Sequence, residues 1–147
     1  MYKRILVATD GSKLSQQAIN HALNLADVTG AEVVALKVVP RYPQTYFEGG
    51  VALAAAEVSR IEKQWQEDAM KAVNAVKDAG QKLEVKVKPM TVKSDVVSDA
   101  IISAAKRSKC DLIVMASHGR RGIKRLLLGS ETQQVLTHSH IPVLVLR

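Results

Sequence analysis

The chain has 147 residues, of which 47% are hydrophobic, 24% charged and 3% aromatic, and its formal net charge is +7. That length and apolar content suit one domain with its own core, spanning residues 1–147, and exclude a disordered chain. No apolar run approaches the ~20 residues that cross a bilayer, the scarcity of aromatics argues against single-strand nucleic-acid binding by base stacking, and the basic excess suits attraction of a small polyanion.

In chain order, Arg4 to Thr9 reads as a short buried strand. Its apolar part, Ile5-Leu6-Val7-Ala8, is too short for the core of a signal peptide and is followed by Asp10, so a cytoplasmic location is expected. Leu14, Ala18, Ile19, Ala22, Leu23 and Ala26 recur at helical spacing, with Ser12 as N-cap and Gly30 as C-terminal stop. Glu32 to Val39 is a second strand, and Pro40 to Gly50 is a loop. A long helix then ends at Gly80, with Ile61, Trp65, Ala69, Ala72, Val73 and Val76 on its apolar face. Leu83 to Val92 alternates apolar and charged residues, and Pro89 marks it as an edge strand. Ser94 is the expected cap of a third helix, whose face is Val97, Ala100, Ile101, Ala104 and Ala105. Cys110, the single cysteine, precedes an apolar fourth strand over Asp111–Ala116 and is expected to be a buried small hydrophobe. A short helix over Ser130–Thr137 and a strand over Pro142–Leu146 complete the pattern.

Strands alternating with helices imply right-handed crossovers and a parallel sheet covered on both faces. The apolar first and fourth strands belong at the centre and the third at an edge. The expected fold is therefore a three-layer α/β/α domain with a five-stranded parallel sheet in the order 3-2-1-4-5. Ligands of such sheets bind beyond the strand carboxyl ends, where the winding reverses. Here that is between strands one and four, where Asp10-Gly11-Ser12 and Ser117-His118-Gly119 emerge.

After them comes a loop from Gly119 to Gly129 that carries Arg120, Arg121, Lys124 and Arg125 and no acidic residue. Gly129 frees the backbone before a helix whose first N–H groups can bind an anion. Ser130 adds a hydroxyl at the cap and Thr132 another in the first turn. On the residues alone, phosphate binding and plain helix capping both account for Ser130 and Thr132, and the basic cluster also suits a solvated loop. No G-x4-G-K-[ST] or G-x-G-x-x-G occurs. His118 is the one tempting base, and no nucleophile elbow accompanies Ser12, Asp10 and His118. His138 and His140 lack a third metal ligand nearby in sequence.

The opening Ile5-Leu6-Val7-Ala8-Thr9-Asp10-Gly11-Ser12, the frame Ala116-Ser117-His118-Gly119, nine residues, Gly129-Ser130, and the ending Ile141-Pro142-Val143-Leu144-Val145-Leu146 together resemble the universal stress protein family. Its nucleotide-binding members carry G-x2-G-x9-G-[ST] after the fourth strand. The resemblance implies an adenine nucleotide alpha hydrolase-like fold and binding of ATP with Mg2+, in a stress-response regulator with little or no catalysis. It implies Asp10 on the ribose side, with Ala8 beside it, and Val38 bonding adenine through its backbone. Ala116 and Gly119 would lie along the ribose and phosphates, and Met115 would also belong to the nucleotide site. Gly129, Ser130, Glu131 (by its backbone only) and Thr132 would hold the phosphates. Ala116 replaces the first motif glycine, and its Cβ is tolerated at negative φ but clashes at positive φ. Slow ATP hydrolysis, or an interaction module that binds no nucleotide, are the alternatives. Val143 to Leu146 has no chain left to cover its far edge, so a homodimer through that strand is expected, with no membrane and no specific nucleic-acid partner. Gly129→Val is expected to block the phosphate path and leave the fold intact, provided that loop is exposed.

Overall fold

The computed structural model describes residues 1–43, 54–119 and 128–147. Five strands, β1 (Arg4–Ala8), β2 (Glu32–Val39), β3 (Val87–Lys93), β4 (Leu112–Ala116) and β5 (Val143–Leu146), form one parallel sheet in the order β3-β2-β1-β4-β5. Four helices connect them: α1 (Lys13–Thr29), α2 (Ala55–Lys82), α3 (Val97–Arg107) and α4 (Ser130–His138). The fold and strand order match those expected from the sequence.

Strand side chains alternate between the two sheet faces, and the core divides accordingly. Ile5, Val7, Val33, Ala35, Leu112 and Val114 pack against α1 and α2 through Ile19, Leu23, Val73 and Val76. Leu6, Val34, Leu36, Ile113 and Met115 pack against α3 and α4 through Ile101, Ala105 and Val135. Each fully buried Leu or Ile contributes about 1.5–3 kcal/mol, so the two-faced burial of β1, β2 and β4 holds their carboxyl ends in fixed relation. Cys110 is buried in the second cluster, as expected, and burial pushes its thiol up to about 11.

Helix α1 begins and ends as its sequence indicates. Ser12 Oγ accepts from the Ser15 amide at 3.1 Å, and Gly30 sits at φ 76° with its N–H donating to Ala26 O. Three boundaries differ. Helix α2 runs past Gly80 to Lys82, because Gly80 is a packing residue rather than a stop: a Cβ there would overlap Val87 Cγ2. Strand β3 starts at Val87 rather than Leu83, since Glu84 at φ 56° first turns the chain out of the helix. Ser94 does not cap α3. The N-cap is Val96, and Ser94 Oγ instead accepts from the Val96 amide at 3.1 Å, closing a local turn. Pro89 lies on the edge strand, opposite Ala35. Among the described residues, no helix is long and apolar enough to cross a membrane.

Candidate functional site

A crevice of about 760 Å³ opens at the carboxyl ends of β2, β1 and β4, on the α3/α4 side of the sheet. That volume is in the range of small-molecule sites. Ala8, Val38 and Met115 lie on this face and line the crevice floor.

Asp10 leaves β1 at the rim, and its Oδ1 accepts from the Ser12 amide at 2.9 Å. This local turn holds the carboxylate beside the next rim segment, where Gly119 follows β4. A Cβ on Gly119 would overlap Asp10 Oδ2, so the Asp10 carboxylate can stand this close to the second rim because glycine lies there. Gly129 closes the third side. Its amide donates to Ser117 O at 2.7 Å, and a Cβ on it would stand 3.3 Å from both Ser117 O and His118 Cα. Gly129 is half-buried, so the exposed loop on which the expected tolerance of Gly129→Val depends is only partly present, and the added side chain would press on main chain at the end of β4.

Gly129, and not Ser130, is the N-cap of α4, with no side-chain cap bond. Ser130 opens the helix, and its Oγ donates to Glu131 Oε2 at 3.0 Å. Among the described residues, the amides of Ser130, Glu131 and Thr132 find no acceptor; the first bond made at this helix end runs from Gln133 N to Gly129 O. N–H groups of this kind, at the positive end of a helix dipole, are able to bind an anion. Thr132 is buried, and its hydroxyl donates to Ala116 O at 2.9 Å. The hydroxyl is thereby spent on tying α4 to β4 and is not available to a ligand.

The parity of the sheet exposes the main chain of Val38. Val33 N–H points to β3, so Val34, Leu36 and Val38 turn their polar groups toward β1. Leu36 O accepts from Thr9 N at 3.0 Å, the last such contact before β1 turns away. Val38 is one period further on, facing the crevice with no strand opposite. The same parity settles Ala116. It is not among the residues with positive φ, and it pairs with Leu146, which packs on the α1 face. Its Cβ points away from the crevice, so the motif glycine is replaced there without closing the site.

His118 lines the crevice, with its Nδ1 3.1 Å from Ser117 Oγ. Sequence reasoning missed Pro40, Asp95 and Leu128 as lining residues, and it read Val97 and Ile101 only as core. Asp95 Oδ1 accepts from the Arg41 amide at 3.3 Å, a contact between segments 54 residues apart that no local pattern announces. Arg120, Arg121, Lys124 and Arg125 lie outside the described residues. His138 ends α4 and His140 lies in the turn before β5; among the described residues no group of three or more His, Cys, Asp or Glu could hold a metal ion.

The model of the universal stress protein family matches residues 1–147. Universal stress protein MJ0531 of Methanocaldococcus jannaschii is 36% identical over 147 residues, covering 100% of this chain and 83% of that protein. The structure of MJ0577 from the same organism has a TM-score of 0.82 at 29% identity, covering 99% of this chain and 96% of that one. A universal stress protein solved in complex with cAMP has a TM-score of 0.72 at 24% identity, covering 99% of this chain and 97% of that one.

Proposed function

The chain belongs to the universal stress protein family, and from that premise we propose that it is a cytoplasmic regulatory protein of the stress response that binds ATP with Mg2+ between β1 and β4. The observation that carries this reading is the set of acceptor-free amides at Ser130, Glu131 and Thr132, across the crevice from the Asp10 carboxylate and the outward-facing Val38 main chain. The three parts match a nucleotide in order: backbone polar groups for adenine, a carboxylate acceptor for ribose hydroxyls, and N–H donors for phosphate. The cAMP held by a protein of the same fold supports adenine as the base. Magnesium would need no protein cage, since it would keep most of its waters and counter phosphate charge; Ser130 Oγ is the hydroxyl of the first turn closest in sequence to the glycine. When bound, the ion neutralises phosphate charge, and the chain's own amides orient the phosphates.

Hydrolysis should be slow or undetectable, since no residue of the sequence is evident as a general base. The test is calorimetric titration of the wild type with ATP, AMP and cAMP, with and without magnesium. ATP should bind with magnesium and more tightly than AMP. Equal affinity for AMP and ATP would remove the phosphate terminus from the reading, and binding of none would favour an interaction module. We also propose a homodimer through β5, whose outer edge is unpaired in the sheet and whose Leu144 is 41% exposed. Sedimentation should give twice the chain mass of 16.0 kDa, and a monomer at micromolar concentration would refute this.

A further inference from the structure

A second groove, of about 610 Å³, lies at the opposite end of the sheet, where β1, β2 and β3 begin. Six cations line it: Arg4, Lys77, Lys86, Lys88, Arg107 and Lys109. Its one carboxylate, Glu32, is already taken by Arg4 at 3.1 Å and Lys86 at 3.3 Å. Arg4 is also fixed by a 2.7 Å bond from Nη1 to Ser108 O. Lys77, Lys88, Arg107 and Lys109 have no ion pair among the described residues. The dipole of α3 accounts for cations at its own C-terminus, where Arg107 and Lys109 lie. It does not account for Lys88 on the edge strand or Lys77 on the helix across the sheet.

Val33, Val34 and Val87 at the base of the groove are buried in the core, and Pro89 is the half-exposed apolar residue between these cations. No aromatic ring lines it, so bases of a nucleic acid have no stacking surface. The cations come from β1, α2, the start of β3 and the end of α3, around a groove of about 610 Å³ that leaves room for more than a single phosphate. Strand addition at this edge is impaired. Lys86 O faces β2, so Val87 and Pro89 turn outward, and Pro89 has no N–H to donate. An occupant must therefore be recognised by its side chains.

We infer that this groove is a docking surface for an extended segment of a partner protein in which carboxylates alternate with aliphatic side chains. The carboxylates meet Lys88, Arg107 and their neighbours, and the aliphatic groups cover the half-exposed Pro89 between them. This goes beyond the nucleotide reading and is independent of it, since the two sites lie at opposite ends of the sheet.

The test is fluorescence anisotropy of a short labelled peptide alternating Glu and Val, titrated with the full chain. The variant Lys88→Glu/Arg107→Glu should weaken binding at least about tenfold. The control Lys63→Glu/Lys71→Glu has the same change in net charge on exposed positions of α2 outside both sites, and it should change affinity less than about twofold. Lys88→Gln/Arg107→Gln should weaken binding in the same direction by a smaller factor, which keeps the test decisive if the reversals disturb folding. The inference fails if the wild type does not bind the peptide, if both charge reversals weaken it equally, or if an oligonucleotide of equal charge binds more tightly.

Discussion

The crevice at the carboxyl ends of the strands and the groove at their amino ends are similar in size, about 760 and 610 Å³, and both have aliphatic floors, yet their polar atoms differ in kind. Around the crevice they belong largely to the main chain: the amides of Ser130 to Thr132 and the polar groups of Val38, brought close by Gly119 and Gly129. Around the groove they are the heads of long side chains, and Lys86 is 80% exposed. Main-chain donors held by helix and sheet lose little entropy when a ligand arrives. Lysine heads lose rotamer freedom on binding and are screened by salt. A parallel sheet thus offers shape-selective recognition at one end and charge-selective recognition at the other.

Breaking the close approach at the carboxyl end should have the largest effect. Gly119→Val would force Asp10 aside while leaving an exposed position at ordinary φ. ATP affinity should fall at least about 100-fold, or about 2.7 kcal/mol, with the melting curve unchanged; retained affinity in calorimetry would show that Asp10 is not a contact. Ser130→Ala removes one exposed hydroxyl whose only bond among the described residues is to Glu131. It should cost about 1 kcal/mol if the hydroxyl meets a neutral group and up to about 3 kcal/mol if it meets phosphate, read from the same titrations. Salt sharpens the contrast between the two ends. Going from about 0.1 M to about 1 M cuts the Debye length from about 10 Å to about 3 Å and should weaken peptide binding at the groove about tenfold. The ratio of wild-type to Ser130→Ala affinity for ATP should stay within about twofold, because a direct hydrogen bond is little screened.

The smallest effect concerns the groove's own carboxylate. Hydrogen bonds from Lys86 and Arg4 hold the Glu32 carboxyl below its ordinary 4.5. A depressed folded value adds stability that is present above pH 4.5 and is lost as pH falls through the lower folded value. Between about pH 6 and about pH 3 the melting temperature of the wild type should therefore fall more than that of Glu32→Gln. Equal slopes would mean that the ion pairs exist without affecting stability.

Much of this molecule was legible in the chain itself, because the relevant physics is local. Period-two and 3.6-residue apolar patterns give β1, β2, α1 and β4 within a residue or two, Ser12 and Gly30 bound α1, and Pro89 marks the edge strand. The local signals that misled were those with two uses. Gly80 read as a stop but serves contact with Val87, Ser94 read as a cap but closes a turn, and Ser130 yielded the cap position to Gly129.

The sequence by itself determined the layers, the strand order and the crevice end of the sheet, since alternation, propensity and crossover handedness act between neighbours in the chain. Tertiary structure alone decided which groups remain unsatisfied and which meet. Thr132 is spent on Ala116 O, Val38 is left facing a gap where β1 ends, and the Cβ of Ala116 is turned to the far face by its pairing with Leu146. Cations as far apart in sequence as Arg4 and Lys109 share one rim because parallel strands begin there together. Each of these depends on register and on the length of a neighbouring strand, which are set by the packing of the whole sheet and leave no mark on any single segment.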